Sequence, residues 1–363
     1  MTVNSSRKHL VLLGAGRAHL QVLKGLGRQT SGDIAVTLVA PHPHYIEPAM
    51  LPGFVAGHYT LDDIRVPLGS LIEGSGVAFV PAQVQALDPA ARRVHLSSGD
   101  ALPYDVLSID AEPVADRERI EAAVPGARRN ALFTHPLEGF VQLWPQLCEL
   151  ARQRPLQVAV IAEDLAGVEL AMACAHAVVA PHGSRVTLLV GETPPLAGQP
   201  PALQRRVLAH LKNLNITVLQ DRCTAIEAGA IRLASGATLV CDAPVLAAGA
   251  ETPAWLMQSG LQANDEGQLQ LNERMQSDSH RQVFVVPHGA PVEVGPTLLA
   301  NLRTALGGGA FRKAPLDVSR LHVVGCGAGY AIAVWGPLGL EGREVWHWKD
   351  RRDRRQLASL LAP

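Results

Sequence analysis

The first residues that could do chemistry are two glycines, Gly14 and Gly16, which follow the first apolar run of the chain. Glycine permits a tight turn from a strand into a helix, and a second glycine lets a phosphate approach the backbone N–H groups at the helix start. The third position of this spacing, usually glycine or alanine, is His19. The spacing predicts a dinucleotide-binding turn that holds a pyrophosphate, and a purely structural glycine turn is the alternative.

The strand that follows this turn and its helix ends without a side chain for binding ribose. A glutamate or aspartate usually stands at that place, because a carboxylate accepts hydrogen bonds from the ribose hydroxyls. Here the strand predicted at residues 34–39 runs directly into Ala40 and Pro41. We therefore expect a weakened grip on the adenosine half of a dinucleotide.

A second turn of the same type is predicted after an apolar strand at residues 158–161. Its sequence is Ala162-Glu163-Asp164-Leu165-Ala166-Gly167, so only the last glycine of the spacing remains. Two carboxylates then stand where a phosphate would bind, and like charge opposes its binding. Either this unit has lost its nucleotide, NAD(P)H, or it binds the nucleotide in a shifted pose. Loss is the interpretation that we favour.

Strands and helices must position these two turns, and the apolar periodicity predicts them. Each turn lies in a strand–helix–strand unit, at residues 9–39 and 158–190, and another buried strand is predicted at 283–286. A helix is expected at 296–306, with β-hairpins and a basic helix from residue 321 onward. The predicted fold class is α/β, with two Rossmann-like dinucleotide-binding domains, the second inserted in the first, plus a small C-terminal β/helix segment.

The order of these elements also predicts where the domains begin and end. The first domain is expected to comprise residues 1–115 and 242–312, because first-domain-like sequence follows the strand at 242–248. The second domain is expected at 116–241, and the C-terminal segment at 313–363.

Composition excludes several classes of function. The 363 residues carry a net charge of −1, which provides no electrostatic basis for binding nucleic acid. We recognise neither a signal peptide nor an apolar stretch long enough to span a membrane, so a cytoplasmic location is expected.

The five cysteines lack CxxC or CxxxxC spacing, which argues against disulfide exchange. The spacing of His42, His44 and His58 is poor for metal ligands, and no metal site is predicted.

A family resemblance extends over nearly the whole chain. The stretches that carry it lie at residues 10–22, 50–59, 104–108, 167–171, 253–256 and 346–354. They resemble FAD-dependent proteins of the pyridine nucleotide-disulfide oxidoreductase type, in the branch of type II NADH dehydrogenase-like proteins. That branch includes the dehydrogenase-like domain sometimes fused to selenide, water dikinase, and a histidine such as His19 is normal in it. The resemblance implies FAD on the first domain, NAD(P)H on the second, and a quinone or similar small molecule as electron acceptor.

The chain departs from that branch at positions where the resemblance implies flavin contacts. Glu47-Pro48-Ala49 replaces Tyr-Ser-Gly before the Met-Leu-Pro-Gly stretch at residues 50–53, and Ala111-Glu112-Pro113 replaces a Gly-Ser pair near the flavin phosphates. His288 stands where an aspartate usually holds the ribityl chain, and the loop after it is short. So many changes in one sequence predict relaxed or redirected use of the cofactor.

The sequence predicts an FAD-dependent oxidoreductase in which the flavin carries the electrons and nicotinamide binding is weakened or lost. The alternative is a non-catalytic family member, a pseudoenzyme, that acts as a binding or regulatory protein. No side chain is assigned a catalytic role. The residues predicted to bind the cofactor are Gly14, Gly16, Arg17, Ala18, His19, Ala40, Pro52, His288 and Gly289.

A basic stretch near the C-terminus, from Lys349 to Arg355, holds five basic and two acidic residues beside Trp346 and Trp348. Such a stretch could contact an anionic membrane surface, as reduction of a quinone would require, with the protein then peripheral to the inner face of the membrane. A solvated, charged helix end is the alternative, and the sequence favours neither over the other.

Overall fold

The computed structural model describes residues 7–26, 34–264, 268–316 and 321–361. The first part of the chain alternates short strands and helices. Its elements are β1 (Lys8–Leu13), α1 (Arg17–Leu26), β2 (Ile34–Ala40), β3 (His44–Ile46), a 3-10 helix (Pro48–Met50), α2 (Leu51–Val55), α3 (Leu61–Ile64), β4 (Arg65–Pro67), α4 (Leu68–Ile72), β5 (Val77–Pro81), β6 (Val84–Asp88), β7 (Arg93–Leu96), β8 (Ala101–Pro103) and β9 (Val106–Ile109).

The middle of the chain contains the longer helices of the second domain. Its elements are β10 (Val114–Ala115), α5 (Arg117–Ala123), α6 (Ala127–Asn130), β11 (Leu132–Phe133), α7 (Leu137–Gln153), β12 (Gln157–Ile161), α8 (Leu165–His182), β13 (Arg185–Leu189), α9 (Pro201–Asn213), β14 (Thr217–Leu219), β15 (Cys223–Glu227), β16 (Ala230–Leu233), β17 (Thr238–Val240) and β18 (Ala243–Leu246).

The remaining elements return to the first domain and then form the C-terminal segment. They are β19 (Ala250–Glu251), α10 (Ala254–Met257), β20 (Val283–Val285), α11 (Val294–Gly307), β21 (Leu321–Gly325), β22 (Ala331–Trp335), β23 (Leu338–Gly342) and α12 (Arg343–Leu361).

Two parallel five-stranded sheets organise the molecule. The first has the order β20-β9-β1-β2-β5 and the second the order β11-β18-β12-β13-β14. Strand β20 pairs in parallel with β9 although the second domain lies between them in the sequence. The predicted fold class is therefore confirmed, with the second domain inserted in the first. The C-terminal segment adds the antiparallel sheet β21-β22-β23 and helix α12.

One predicted domain limit is wrong. Strand β18, which the sequence placed in the first domain, pairs in parallel with β11 and β12 in the second sheet. Val245 and Leu246 are buried there, so the strand completes the core of the second domain. An apolar run shows that a strand is buried, but it does not show which of two similar sheets contains it. The other domain limits stay predictions.

Helix α12 lies against the first domain through polar side chains. Lys349 donates hydrogen bonds to the carbonyl oxygen of Ala49 (3.0 Å) and to Asp353 (2.7 Å). Tyr59 donates to Asp350 (2.9 Å), and Arg354 pairs with Asp63 (2.9 Å). Much of the basic stretch is therefore engaged within the molecule, while Arg351 and Arg355 are exposed.

Membrane contact through α12 stays a prediction. Among the described residues, every helix is too short or too polar to cross a bilayer.

Candidate ligand-binding crevice

A crevice opens at the carboxyl ends of the first sheet's strands, where open α/β sheets bind their ligands. One cavity of about 490 Å³ is lined by the Gly14 turn, the end of β2 at Ala40, and Glu112. A second cavity of about 870 Å³ lies beside the end of β20 and includes His288. Ala111 and Pro113 line both, so the two cavities adjoin.

The glycine turn is built around Asp110, which directly follows β9. Gly14 has φ +86°, and a Cβ on it would overlap the carbonyl group of Asp110. A Cβ on Gly16 would overlap the Asp110 carboxylate, which accepts the backbone N–H of His19 at 2.9 Å. The chain's own carboxylate therefore lies at the start of α1, where the sequence predicts a pyrophosphate.

His19 supports this turn from inside the protein. Its side chain is fully buried, with Nδ1 2.7 Å from the carbonyl oxygen of Gly14 and Nε2 2.8 Å from Ser108 Oγ. Burial lowers the pKa of His19 and favours the neutral ring. The ring joins the turn to β9 and does not reach the crevice.

Arg17 is also engaged within the chain. Its guanidinium group pairs with Glu47, which is 2% exposed, and donates to Gln356 of α12 at 3.0 Å. Tyr45 donates a further hydrogen bond to Glu47 at 3.3 Å. In the described chain, no acceptor reaches the backbone N–H groups of Arg17 and Ala18. These two groups are thus the donors that the helix start can offer to a ligand.

Glu112 introduces a carboxyl group into the wall of the smaller cavity. Burial raises its pKa to about 8, and the carboxylates of Glu138, Asp110 and Glu47 contribute to the shift. No described residue forms a hydrogen bond or ion pair with Glu112. This side chain stands where the resemblance implies a Gly-Ser pair near the flavin phosphates.

The raised pKa of Glu112 makes stability depend on pH. The folded protein retains this proton up to about pH 8, whereas an unfolded chain loses it near the ordinary pKa of 4.5. Folding therefore binds a proton between these values, and stability falls as pH rises through this window. We expect Glu112→Gln to remove about 3–4 kcal/mol of the decline in unfolding free energy between pH 5 and pH 8, measured by urea titration. Exposed Glu118→Gln is the control, and an unchanged slope in Glu112→Gln would contradict the assignment.

The second turn also has one of the chain's own carboxylates at the helix start. Asp164 is the N-cap of α8 and accepts the backbone N–H of Gly167 at 2.8 Å. A Cβ on Gly167 would overlap the side chain of Ala162, so this glycine serves the packing of helix against strand. A carboxylate thus lies at the N-terminus of this helix too.

Of the remaining residues predicted to bind the cofactor, some line the crevice and others do not. Ala40 and His288 line the crevice, and Gly289 follows His288 in a left-handed turn with φ +72°. Ala18 is buried in the first turn of α1. Pro52 lies in α2 and is not among the residues that line either cavity.

Neither thiol nor metal chemistry has a candidate site among the described residues. The five cysteines are free, and burial raises the pKa of the Cys326 thiol far above its usual range. The described side chains include no group of three or more that could hold a metal ion.

Each of the two parallel sheets contains a strand that leads through a turn into a helix, β1 into α1 and β12 into α8. This arrangement defines a protein of the two-dinucleotide-domain class. The chain belongs to the pyridine nucleotide-disulphide oxidoreductase family, whose model matches residues 8–299. This confirms the resemblance, and the family consists of flavin-dependent oxidoreductases.

Similar proteins agree with this assignment. An NADH dehydrogenase-like protein of Mycobacterium tuberculosis is 25% identical over 319 residues, which cover 78% of this chain and 77% of that protein. A type II NADH:quinone oxidoreductase of Staphylococcus saprophyticus is 34% identical over 104 residues, 28% of this chain and 26% of its own.

Solved structures show the same fold. The sulfide:quinone oxidoreductase of Aquifex aeolicus superposes with a TM-score of 0.77 at 18% identity, over 98% of this chain and 91% of that one. NDH2 from Plasmodium falciparum in complex with NADH superposes with a TM-score of 0.78 at 12% identity, over 96% and 97%.

The crevice residues do not fit the pyrophosphate of FAD. Asp110 occupies the helix start, and Glu112 adds a second carboxyl group to the wall beside it. Repulsion of the pyrophosphate comes from the Asp110 carboxylate, because the raised pKa of Glu112 leaves that carboxyl group mostly protonated at neutral pH. Unit charges of like sign at 4 Å repel by about 4 kcal/mol at the effective dielectric constant near a protein surface. Ala40 and His288, which stand where the resemblance implies the ribose and ribityl contacts, offer no carboxylate to form those contacts.

Proposed function

We propose that this chain is a non-catalytic member of its family, which retains the fold and the crevice and uses them to bind a ligand other than FAD. The observation that carries this proposal is the unpaired Glu112 carboxyl in the cavity beside the glycine turn. Dinucleotide phosphates are anions, and a binding site for them normally offers N–H groups and positive charge. Here the only arginine at the turn, Arg17, is paired with Glu47.

The second domain supports the same proposal. Asp164 satisfies the start of α8, and the Glu163 side chain extends toward Gly191, where a Cβ would lie 3.3 Å from its Oε1 atom. We infer that NAD(P)H binding is lost, because a phosphate would have to displace one carboxylate and approach another.

A second candidate function is the one known from the family, an FAD-dependent oxidoreductase that passes electrons to a quinone. The free backbone N–H groups of Arg17 and Ala18 favour it, since they are the donors that an anion would need. The relatives named as NADH:quinone oxidoreductases favour it as well.

Visible absorbance distinguishes the two functions. We expect the purified protein to be colourless and its melting temperature to change by less than 1 °C in about 1 mM FAD, since a ligand that does not bind cannot stabilise the fold. A yellow preparation that NADH bleaches under anaerobic conditions would establish the second function instead. Treating the protein with FAD during refolding controls for flavin lost in purification.

A further inference from the structure

The smaller cavity has more carboxyl groups around it than basic groups. Glu112 and Glu138 line it, and Asp110 and Glu47 lie close enough to raise the pKa of Glu112. Arg17, the arginine at the turn, is neutralised by Glu47. His42 lies 3.8 Å from Glu138 at the rim, where its side chain is 39% exposed. Glu112 has no hydrogen-bond or ion-pair partner among the described residues, although its side chain is partly buried.

Most of the remaining residues that line this cavity are apolar or aromatic, although Gln83 and Gln85 are polar. Tyr45 and Trp255 contribute rings, and Pro41, Val84 and Pro136 contribute aliphatic surface. A volume of about 490 Å³ lies in the range of small organic ligands. A carboxyl group in the same cavity as aromatic rings is a combination that attracts organic cations, through charge and through the negative faces of the rings.

We propose that this crevice binds an organic amine, with the ammonium group on Glu112 and the apolar body against Trp255 and Tyr45. The inference rests on the proposed function, because FAD in the same crevice would fill the space. The chemistry is the inverse of the family's: the site has changed from an anion site to a cation site.

The site also predicts how binding depends on pH. An ammonium group favours the ionised form of Glu112, so amine binding releases the proton that Glu112 holds in the free protein. The groups that face Glu112 are Asp110, Glu138 and Glu47, with His42 and His44 at the rim. Affinity for an amine should therefore rise between pH 6.5 and pH 8.5.

The test compares two ligands of similar shape and opposite charge, tryptamine and indole-3-propionate. We expect calorimetry to show tryptamine binding at least tenfold more tightly than the acid, with proton release, and Glu112→Gln to weaken tryptamine at least tenfold. Glu118→Gln, an exposed change nearby in sequence, should bind like the wild type.

Equal affinity for the acid, no tryptamine binding up to about 10 mM, or undiminished binding by Glu112→Gln would each overturn the cation site. None of these outcomes would change the visible absorbance of the protein, whereas failure of the proposed function would appear as bound flavin. The two failures are therefore distinguishable.

Discussion

Replacing Asp353 by alanine is expected to lower the free energy of unfolding by about 3–4 kcal/mol, because it leaves a buried ammonium group without its main partner. Asp353 is 1% exposed and Lys349 is 8% exposed, with 2.7 Å between the carboxylate and the amine. Arg352 also pairs with Asp353, at 3.1 Å. Glu169 is the next carboxylate, 4.0 Å from Lys349 Nζ, and it cannot replace a direct hydrogen bond.

Urea unfolding at neutral pH, followed by circular dichroism, measures this effect. Arg355→Ala, an exposed change on the same helix, is the control and should alter stability by less than about 0.5 kcal/mol. Joint replacement by Lys349→Met and Asp353→Leu should recover much of the loss, because an apolar pair carries no charge to desolvate. If Asp353→Ala is as stable as the control, the network does not hold α12 in place.

Gly14→Ala is expected to cost about 3 kcal/mol or more, since the added Cβ meets backbone rather than a movable side chain. The site imposes two separate penalties: a left-handed φ of +86° and an overlap with the carbonyl group of Asp110. The left-handed conformation alone costs an alanine about 1 kcal/mol.

Gly99→Ala provides a matched control for this prediction. Gly99 has nearly the same φ, +88°, but nothing lies within 4 Å of an added Cβ. We expect Gly99→Ala to lose only about 1 kcal/mol in the same urea titration. Equal losses in the two variants would show that the close approach of Asp110 is unimportant for the turn.

Much of the fold was predictable because it depends on local patterns. The strand–glycine–helix order at Gly14 and the apolar strands around Val158 and Val283 were sufficient to predict two Rossmann-like domains, and the similarity of their sheets explains why β18 was misplaced. Helices α7 and α9 begin directly after Pro136 and Pro200 and not at a strand–glycine turn, so the pattern that predicts α1 and α8 does not predict them.

Less of the site was predictable, because its groups come from separate elements. Glu112 and His288, which the resemblance marks as departures, both line the crevice. Asp110 was not predicted, although an aspartate that follows a buried strand directly is a signal, because such a residue lies at the ligand-binding edge of a parallel sheet. Similarly, the sequence shows the charges of the basic stretch near Lys349, but it does not show which groups they contact. Those groups include Asp63 and the carbonyl oxygen of Ala49, which lie far away in the sequence.

The pairing of β20 with β9 has a consequence for how the protein folds. Strands β11 to β18 form a sheet from one continuous stretch, so the second domain can assemble through comparatively local contacts. The first sheet cannot be completed until Val283 reaches Leu107 across the whole of that insertion. Closing such a loop costs less entropy once the intervening chain is compact. We therefore expect the inserted domain to fold first and to bring the two sequence-distant halves of the first domain close together.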